Sequence, residues 1–342
     1  MNRLIAAATR FVEAAPLPDA VTKTGIAFLV SRTQRRLAAL EDNDAAFVGA
    51  MDRYAIAEHA DAANGQHYEL PPRFFDLTLG PRRKYSCCLY PGGTETLAQA
   101  EEAALAETVA HADLSDGQEI LELGCGWGSL SLYMAERYPA AQITAVSNSA
   151  PQRRHIEALA KVAGLSNLRV ITADMNDFAA QGRYDRVVSV EMFEHMSDWR
   201  SLLARIHGWL KPDGRLFLHV FSHATQPYRF DHGNKADWIA QYFFTGGIMP
   251  SHGLIRHLDD HFIVEQDWRW SGVHYRRTAE QWLANYDANR AEIDPILQEV
   301  YGPHARLWGR RWRLFYLATA GLFGHNGGEP WAVSHYRLAP RP

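Results

Sequence analysis

The sequence predicts a Rossmann-like α/β fold with a mostly parallel sheet, and three observations carry that reading. Short apolar runs at residues 120–123, 143–146, 168–172, 186–190 and 215–221 are separated by segments of helical spacing. The first run ends in the turn Gly124-Cys125-Gly126-Trp127-Gly128 and is followed at once by a helix signal. Strand and helix alternating in this way call for right-handed crossovers, which place helices on both faces of a parallel sheet.

Composition sets the frame. With 342 residues, the chain suits about two domain-sized units, or one large domain with extensions. Apolar residues make up 47% and charged residues 22%, the balance of an ordinary globular protein. The formal net charge of −4 lacks the basic excess of a nucleic-acid binder, so none is expected as a partner. The three cysteines, Cys87, Cys88 and Cys125, do not suit a disulfide framework and point to a reducing, cytoplasmic setting. Near the start, the apolar stretch 25–30 is too short to span a bilayer, and Arg10, Glu13, Pro16, Pro18 and Lys23 break up what precedes it. No signal peptide and no transmembrane helix are expected.

In chain order, Leu37, Leu40, Phe47, Met51 and Ile56 space as helices do, until Pro71-Pro72 breaks the run. Leu97, Ala100, Glu101, Ala104, Leu105 and Val109 predict a helix before the turn Asp116-Gly117. After the glycine turn, Leu130, Leu132, Met134 and Ala135 suit a helix. The next helix has Ser149 as cap, Pro151 in its first turn, Ile156, Leu159 and Val162 on its apolar face, and Gly164 as its stop. Residues 222–260, with Gly246-Gly247 and Pro250, predict an inserted loop or helical lid. The α/β pattern resumes at 262–268, residues 278–324 are helical, and 332–338 closes the sheet as the last strand. The expected organisation is a helical N-terminal cap region over 1–94 and an α/β domain over 95–342.

Ligands of such sheets bind at the carboxyl ends of the strands, where the strand order reverses. Gly124, Gly126 and Gly128 sit there and let the backbone approach a ligand without a Cβ between. A dinucleotide enzyme would need the longer spacing G-x-G-x-x-G. Glu122-Leu-Gly-Cys-Gly-Trp-Gly128 instead resembles the E/D-x-G-x-G-x-G signature of S-adenosylmethionine methyltransferases. On that reading Glu122 meets the cofactor's amino group. Many of these enzymes end the second strand in an acid that binds the ribose. Here the segment reads Val146-Ser-Asn-Ser149, so Asn148 and Gln152 are expected to take over by hydrogen bonding. Asp174 can accept the adenine amino proton, and Met175 can pack on the ring.

From Tyr85 onward the chain resembles the cyclopropane-fatty-acid synthase superfamily of methyltransferases. The markers are Tyr85-Ser86-Cys87, the glycine turn, Phe193-Glu194-His195-Met196 and the insertion after Phe221. Within it, the chain is most similar to the coclaurine N-methyltransferases. Ser86-Cys87-Cys88, Thr144-Ala145-Val146, Asn148-Ser149, Glu191-Met-Phe-Glu-His-Met196, the ending Gly324-His-Asn-Gly-Gly-Glu-Pro-Trp331 and Ser334-His335 carry this, together with Tyr68-Glu69-Leu70-Pro71. The resemblance implies a class I methyltransferase core of seven strands, with S-adenosylmethionine converted to S-adenosylhomocysteine. It carries cofactor roles onto Tyr85, Ser86, Gly124, Asn148, Gln152, Asp174, Met175 and Val188. It also implies that Glu191, Glu194 and His195 face a cavity roofed by the N-terminal helices and the insertion.

Those three residues follow the strand 186–190 and so lie at the catalytic edge. At i, i+3 and i+4 a helical turn gathers them on one face. An amine must be neutral to attack the sulfonium methyl, and carboxylates with a histidine near its ordinary titration range can take its proton and favour a cationic product. The expected catalytic set is therefore Glu191, Glu194 and His195, acting on a small hydrophobic, tetrahydroisoquinoline-like amine.

Two other readings stand beside it. In the cyclopropane branch a bound bicarbonate takes a proton from a lipid carbocation, and the residue types associated with it recur as Cys87, Glu194, His219 and Tyr275. That allows methylation of an unsaturated acyl chain, with bicarbonate as cofactor. The amine branch tends to carry Glu where this chain has His219. Against the lipid reading, Glu191 stands where a small residue is usual, and Arg306, Arg310, Arg311 and Arg313 form the only local basic cluster singled out, read as a solvated helix face. The other reading is a cofactor-binding protein without catalysis. The sixteen histidines are scattered, and no metal-ligand spacing stands out. The sequence leaves the oligomeric state open, a homodimer included.

Overall fold

The computed structural model describes residues 11–15, 17–58, 70–235 and 237–341. Tyr68 and Glu69 of the N-terminal match lie outside them.

Strands β1 (Glu119–Leu123), β2 (Gln142–Ser147), β3 (Leu168–Thr172), β4 (Tyr184–Val190), β5 (Leu210–His223), β8 (Phe262–Trp270) and β9 (Trp331–Pro340) form one sheet in the order β3-β2-β1-β4-β5-β9-β8. The first five run parallel, and β9 is antiparallel to both β5 and β8. The order reverses between β1 and β4, so the carboxyl end of β1 opens onto a crevice.

The apolar runs become strands because both faces of the sheet are covered. On one face Leu105 and Val109 of α4 (Leu97–His111) and Leu130, Tyr133 and Met134 of α5 (Ser129–Arg137) pack on Ile120, Ile143, Val188 and Phe217. On the other, Leu202, Leu203 and Ile206 of α7 (Trp199–Trp209) pack on Leu121, Val187, Leu216 and Leu218. The remaining helices build an aromatic mass at the site end of the sheet. They are α1 (Asp19–Ala38), α3 (Pro72–Thr78), α9 (Gly272–Ala288), α10 (Arg290–Tyr301) and α11 (Ala305–Phe323). A short helix α2 (Asp44–Val48) lies between the first two of these.

Helix α6 (Ala150–Val162) starts as its sequence predicts, with the Ser149 hydroxyl accepting the Gln152 N–H and Pro151 in the first turn. Gly164, with φ +70°, follows its end. Its buried stripe is Gln152, Ile156 and Ala160, whereas Val162 is 88% exposed, so the apolar face is narrower than the spacing suggested. The segment 222–260 carries β6 (Tyr228–Arg229) paired with β7 (Ile248–Met249), and α8 (Trp238–Tyr242) between them. The late helices begin at Gly272, six residues earlier than expected, because the Ser271 hydroxyl caps α9. The last strand, β9, is inserted between β5 and β8, which leaves β8 at the edge. No helix forms in the crossover 173–183.

Of the arginine cluster on α11, Arg306 is exposed as expected, but the other three are not a solvated face. Arg310 bonds the carbonyls of Glu13 and Ala14, Arg311 pairs with the Glu13 carboxylate, and Arg313 pairs with Asp19 and Asp287. These contacts tie α11 to the N-terminal segment. Among the described residues no helix is long and apolar enough to cross a membrane.

Gly128 caps α5 at φ +85°, and a Cβ there would lie 2.6 Å from the Ile156 side chain. Gly128→Ala therefore combines backbone strain with a clash against α6. Chemical denaturation should show a loss of about 2 kcal/mol or more; an unchanged midpoint would mean that the turn relaxes freely.

Candidate active site

The crevice beyond β1 and β4 is a cleft lined by Gly124, Gly126, Val146, Asn148, Gln152, Asp174, Met175, Glu191 and His195. Eight of these, all but Val146, are residues the sequence marks for the cofactor or the acceptor. A Cβ on Gly126 would meet nothing within 4 Å, so the bare backbone there borders open space. Gln152 is buried; its Oε1 accepts the Ser147 hydroxyl at 2.6 Å, and its Nε2 has no protein partner. Asp174 uses one carboxylate oxygen to accept the Asn176 N–H.

Other expected residues lie off the cleft wall. Glu122 is buried beneath the turn and accepts the Ser131 hydroxyl at 2.5 Å; burial pushes its carboxyl up to about 7. Val188 is fully buried among α4, α5 and the sheet, because both of its neighbours in register, Glu122 and Phe217, are themselves in the core. Ser86 receives a hydrogen bond from Lys84 Nζ at 2.5 Å, and the Tyr85 ring packs between Phe75 and Trp282. Gly128 acts as a helix cap.

At the far end of the cleft stands Glu191. Its Oε1 accepts the Cys87 N–H at 2.9 Å and faces His219 Nε2 at 3.2 Å, and its Oε2 accepts the Tyr275 hydroxyl at 2.7 Å. The backbone that presents it is left-handed, with φ +48°, and its N–H donates to the His219 carbonyl. Such a conformation costs a non-glycine residue about 1–3 kcal/mol. Burial raises the Glu191 pKa, opposed by the field of Lys84 and the Cys87 and Tyr275 hydrogen bonds.

That left-handed residue corrects the expected helical face. Only Phe193–His195 form a 3-10 turn, and Glu191, Glu194 and His195 diverge. His195 stays on the cleft wall with its ring stacked on Phe244 at 4.9 Å. Glu194 turns inward: its Oε1 accepts the Phe221 N–H at 2.6 Å, and its Oε2 is buried without a partner. Burial, with the Glu191 charge beside it, raises its pKa well above the usual range.

The cleft also contains residues that the sequence did not flag. Ala57, Glu58, Met192, Met196 and Thr245 line it. Ala57 is held there because the Asn176 side chain accepts its N–H and donates to its carbonyl, both at 3.0 Å. Nothing in the local pattern of residues 55–58 signals this, since the partner lies 119 residues away. Lys84, buried under the site, bonds Ser86 and the Cys87 carbonyl. A larger open groove of about 800 Å³ runs along β2 and β3 and shares only Ala173 and Asp174 with the cleft; neither Glu191 nor His195 reaches it. Among the described residues no group of three or more His, Cys, Asp or Glu is placed to hold a metal ion.

A family model for mycolic acid cyclopropane synthetase matches residues 57–325. The chain belongs to that family. It is 36% identical to an (S)-coclaurine N-methyltransferase of Thalictrum flavum subsp. glaucum over 285 residues, 82% of this chain and 79% of the relative. It is 30% identical to the cyclopropane-fatty-acyl-phospholipid synthase of Escherichia coli (strain K12) over 272 residues, 78% of this chain and 66% of the relative. The crystal structure of a coclaurine N-methyltransferase bound to N-methylheliamine and S-adenosylhomocysteine superposes with a TM-score of 0.93 at 31% identity, covering 98% of this chain and 99% of that one. The chain is thus an S-adenosylmethionine-dependent methyltransferase of class I fold.

Two predictions follow from the cleft. Gly126→Val places two methyl groups in the open space beside the turn. S-adenosylhomocysteine affinity should fall at least about tenfold by calorimetry, with a stability loss of only about 1–2 kcal/mol from the positive φ. In the ligand-free protein Glu122 titrates above its unfolded range of about 4.5, so the folded state holds the extra proton between pH 4.5 and about 7. Stability should therefore fall as pH rises through that window, by about 3 kcal/mol from this group. Urea titrations at pH 5 and pH 8 should show Glu122→Gln lacking that decline.

Proposed function

We propose that the chain transfers the methyl group of S-adenosylmethionine to the nitrogen of a small hydrophobic amine, tetrahydroisoquinoline-like in shape. The observation that carries this is the convergence of the Cys87 N–H, His219 and the Tyr275 hydroxyl on the Glu191 side chain. In the cyclopropane branch the matching groups are associated with bicarbonate. Here a side-chain carboxyl fills the position where they meet, so an external base would have to compete with it for the same groups.

The cleft suits the cofactor. Gly126 offers bare backbone for its methionine end, and the unpartnered Gln152 amide together with Asn148 offers hydrogen bonds to ribose hydroxyls. Asp174 and Met175 line the same cleft, and an adenine held there would find a carboxylate for its amino group and an apolar side chain for its ring. When bound, the cofactor supplies an electrophilic methyl; the protein's task is alignment and exclusion of water. His195, held by Phe244, is placed to take a proton from the incoming amine, and Glu191 to stabilise positive charge as it forms on nitrogen. Glu194, enclosed with one oxygen unpartnered, gains a favourable interaction only when a cation arrives nearby. Phe221, edge-on, and Phe230, tilted, pack against Phe244 and form an apolar wall beside His195 that suits an aromatic amine. The coclaurine and pavine N-methyltransferase relatives support an amine acceptor.

A screen for S-adenosylhomocysteine release tests this reading, using secondary and tertiary cyclic amines and unsaturated phospholipids, each with and without bicarbonate. Turnover with amines, indifferent to bicarbonate, is expected; turnover restricted to lipid and stimulated by bicarbonate would overturn it. Glu191→Gln and His195→Ala should each lower kcat by about 100-fold while S-adenosylhomocysteine affinity stays within about threefold. A loss of cofactor affinity with kcat intact would reassign both residues.

A further inference from the structure

Behind Glu191 the hydrogen bonds do not stop. His219, which faces Glu191 through Nε2, presents Nδ1 to His335 Nε2 at 2.8 Å. His335 in turn presents Nδ1 to His111 Nδ1 at 2.8 Å, and His111 Nε2 lies 3.0 Å from the Glu107 carboxylate. His219 and His335 face each other in register across β5 and β9, and His111 and Glu107 sit one turn apart at the end of α4. The two inner rings are fully buried, whereas the Glu107 side chain is 44% exposed. A continuous path thus joins the acceptor end of the cleft to solvent through the sheet.

The number of protons on this path is constrained. Four links join five groups, and each link needs one proton between its two heavy atoms. Three neutral imidazoles carry one N–H each. With both carboxylates ionised, one link would set two lone pairs against each other at about 3 Å. A fourth proton completes the path, and its position depends on which carboxylate keeps its charge. Glu107 is hydrated and draws the His111 N–H outward; His335 then donates through Nδ1 to His111, and His219 donates through Nδ1 to His335. The His219 Nε2 lone pair is left facing Glu191, which must then be the acid that donates to it.

We propose that His219, His335 and His111 are a proton-sharing chain through which Glu107 at the surface sets the charge of Glu191 in the site. This rests on the amine reading above for its chemical purpose. At rest Glu191 is a neutral acid. As positive charge forms on the acceptor nitrogen, the Glu191 O–H bond breaks and a new N–H forms at His219 Nε2. The His219 Nδ1 proton passes to His335 Nε2, the His335 Nδ1 proton to His111 Nδ1, and the His111 Nε2 proton to Glu107 and water. Glu191 is then an anion beside the ammonium, and the reverse shift restores it when the cationic product leaves. One proton leaves and one returns per turnover, and neither crosses the occupied cleft.

The surroundings favour neutral rings. Burial holds His219 and His335 well below the usual histidine range, with Lys84 and the neighbouring histidines acting in the same direction. Burial also lowers His111, against the pull of Glu107, while Arg337 adds to the lowering. The groups facing the path are Lys84, Cys87, Glu194 and Tyr275 around Glu191, the Trp270 ring beside His219 and His335, and Arg337 with the stacked Trp268 ring at His111. The carboxylates at the path's two ends supply its direction.

Glu107→Gln tests the chain from the surface, far from any group that touches substrate. Without the outer anion, the N–H bonds should turn inward toward Glu191. Nitrogen NMR of histidine-labelled protein, with no acceptor present, should show His219 protonated at Nδ1 in the parent and at Nε2 in the variant. The acid limb of kcat/KM against pH should move at least one unit lower. Glu157→Gln, which removes a surface carboxylate paired with Arg153, provides the reference for a general charge effect. Unchanged His219 protonation, or a pH shift no larger than that of Glu157→Gln, would overturn the proposal. The NMR result stands whether or not amines prove to be the acceptors, so the two readings fail separately.

Discussion

The site is organised by one constraint: a buried carboxyl group needs polar partners, and Glu191 finds three. They come from the Cys87 backbone in the loop before α4, from His219 on β5 and from Tyr275 on α9. These elements are far apart in sequence, so the carboxyl is a point at which the sheet, the late helices and the N-terminal loop must all agree. Its left-handed backbone is tolerated because the contacts on both carboxylate oxygens, together with the Glu191 N–H bond to the His219 carbonyl, hold it in place.

Much of the framework was legible because it follows from local pattern. The β1 run, the glycine turn and the Ser149 cap each state their structure within a few residues, and the mostly parallel sheet follows from alternation and handedness, whereas the place of β9 between β5 and β8 does not. The active-site segment was legible as to place but not as to shape. Its i, i+3, i+4 spacing describes a helix, yet the chain leaves β4 through a left-handed residue, and no helical face forms. Periodicity reports neighbours along the chain and is silent about a side chain drawn sideways by Cys87 and Tyr275.

Long-range contacts were the least legible. Ala57 reaches the cleft because the Asn176 amide mimics a strand partner, donating and accepting at once, and neither residue stands out in its own segment. The arginines of α11 looked like a wet surface, because the acids that pair with them, Glu13, Asp19 and Asp287, lie in other elements. Val188 shows the opposite limit: a role transferred by likeness of motif gives way where register places the side chain in the core.

The electrostatic character of the site follows from burial more than from formal charge. Glu122, Glu191 and Glu194 are all enclosed, and desolvation raises each pKa; His219 and His335 are pushed the other way by the same cause. Every one of these shifts favours the neutral form. A site built in this way carries little net charge at rest and gains anions only when a cation appears to compensate them. A sulfonium centre and a nitrogen becoming ammonium both place positive charge beside such carboxyls, which favours their ionised forms. Permanently charged carboxylates would instead bind solvent cations and water, which would then have to be removed before the methyl group could be aligned. Desolvation thus keeps these carboxyls protonated, so that negative charge is held in reserve until positive charge develops beside them.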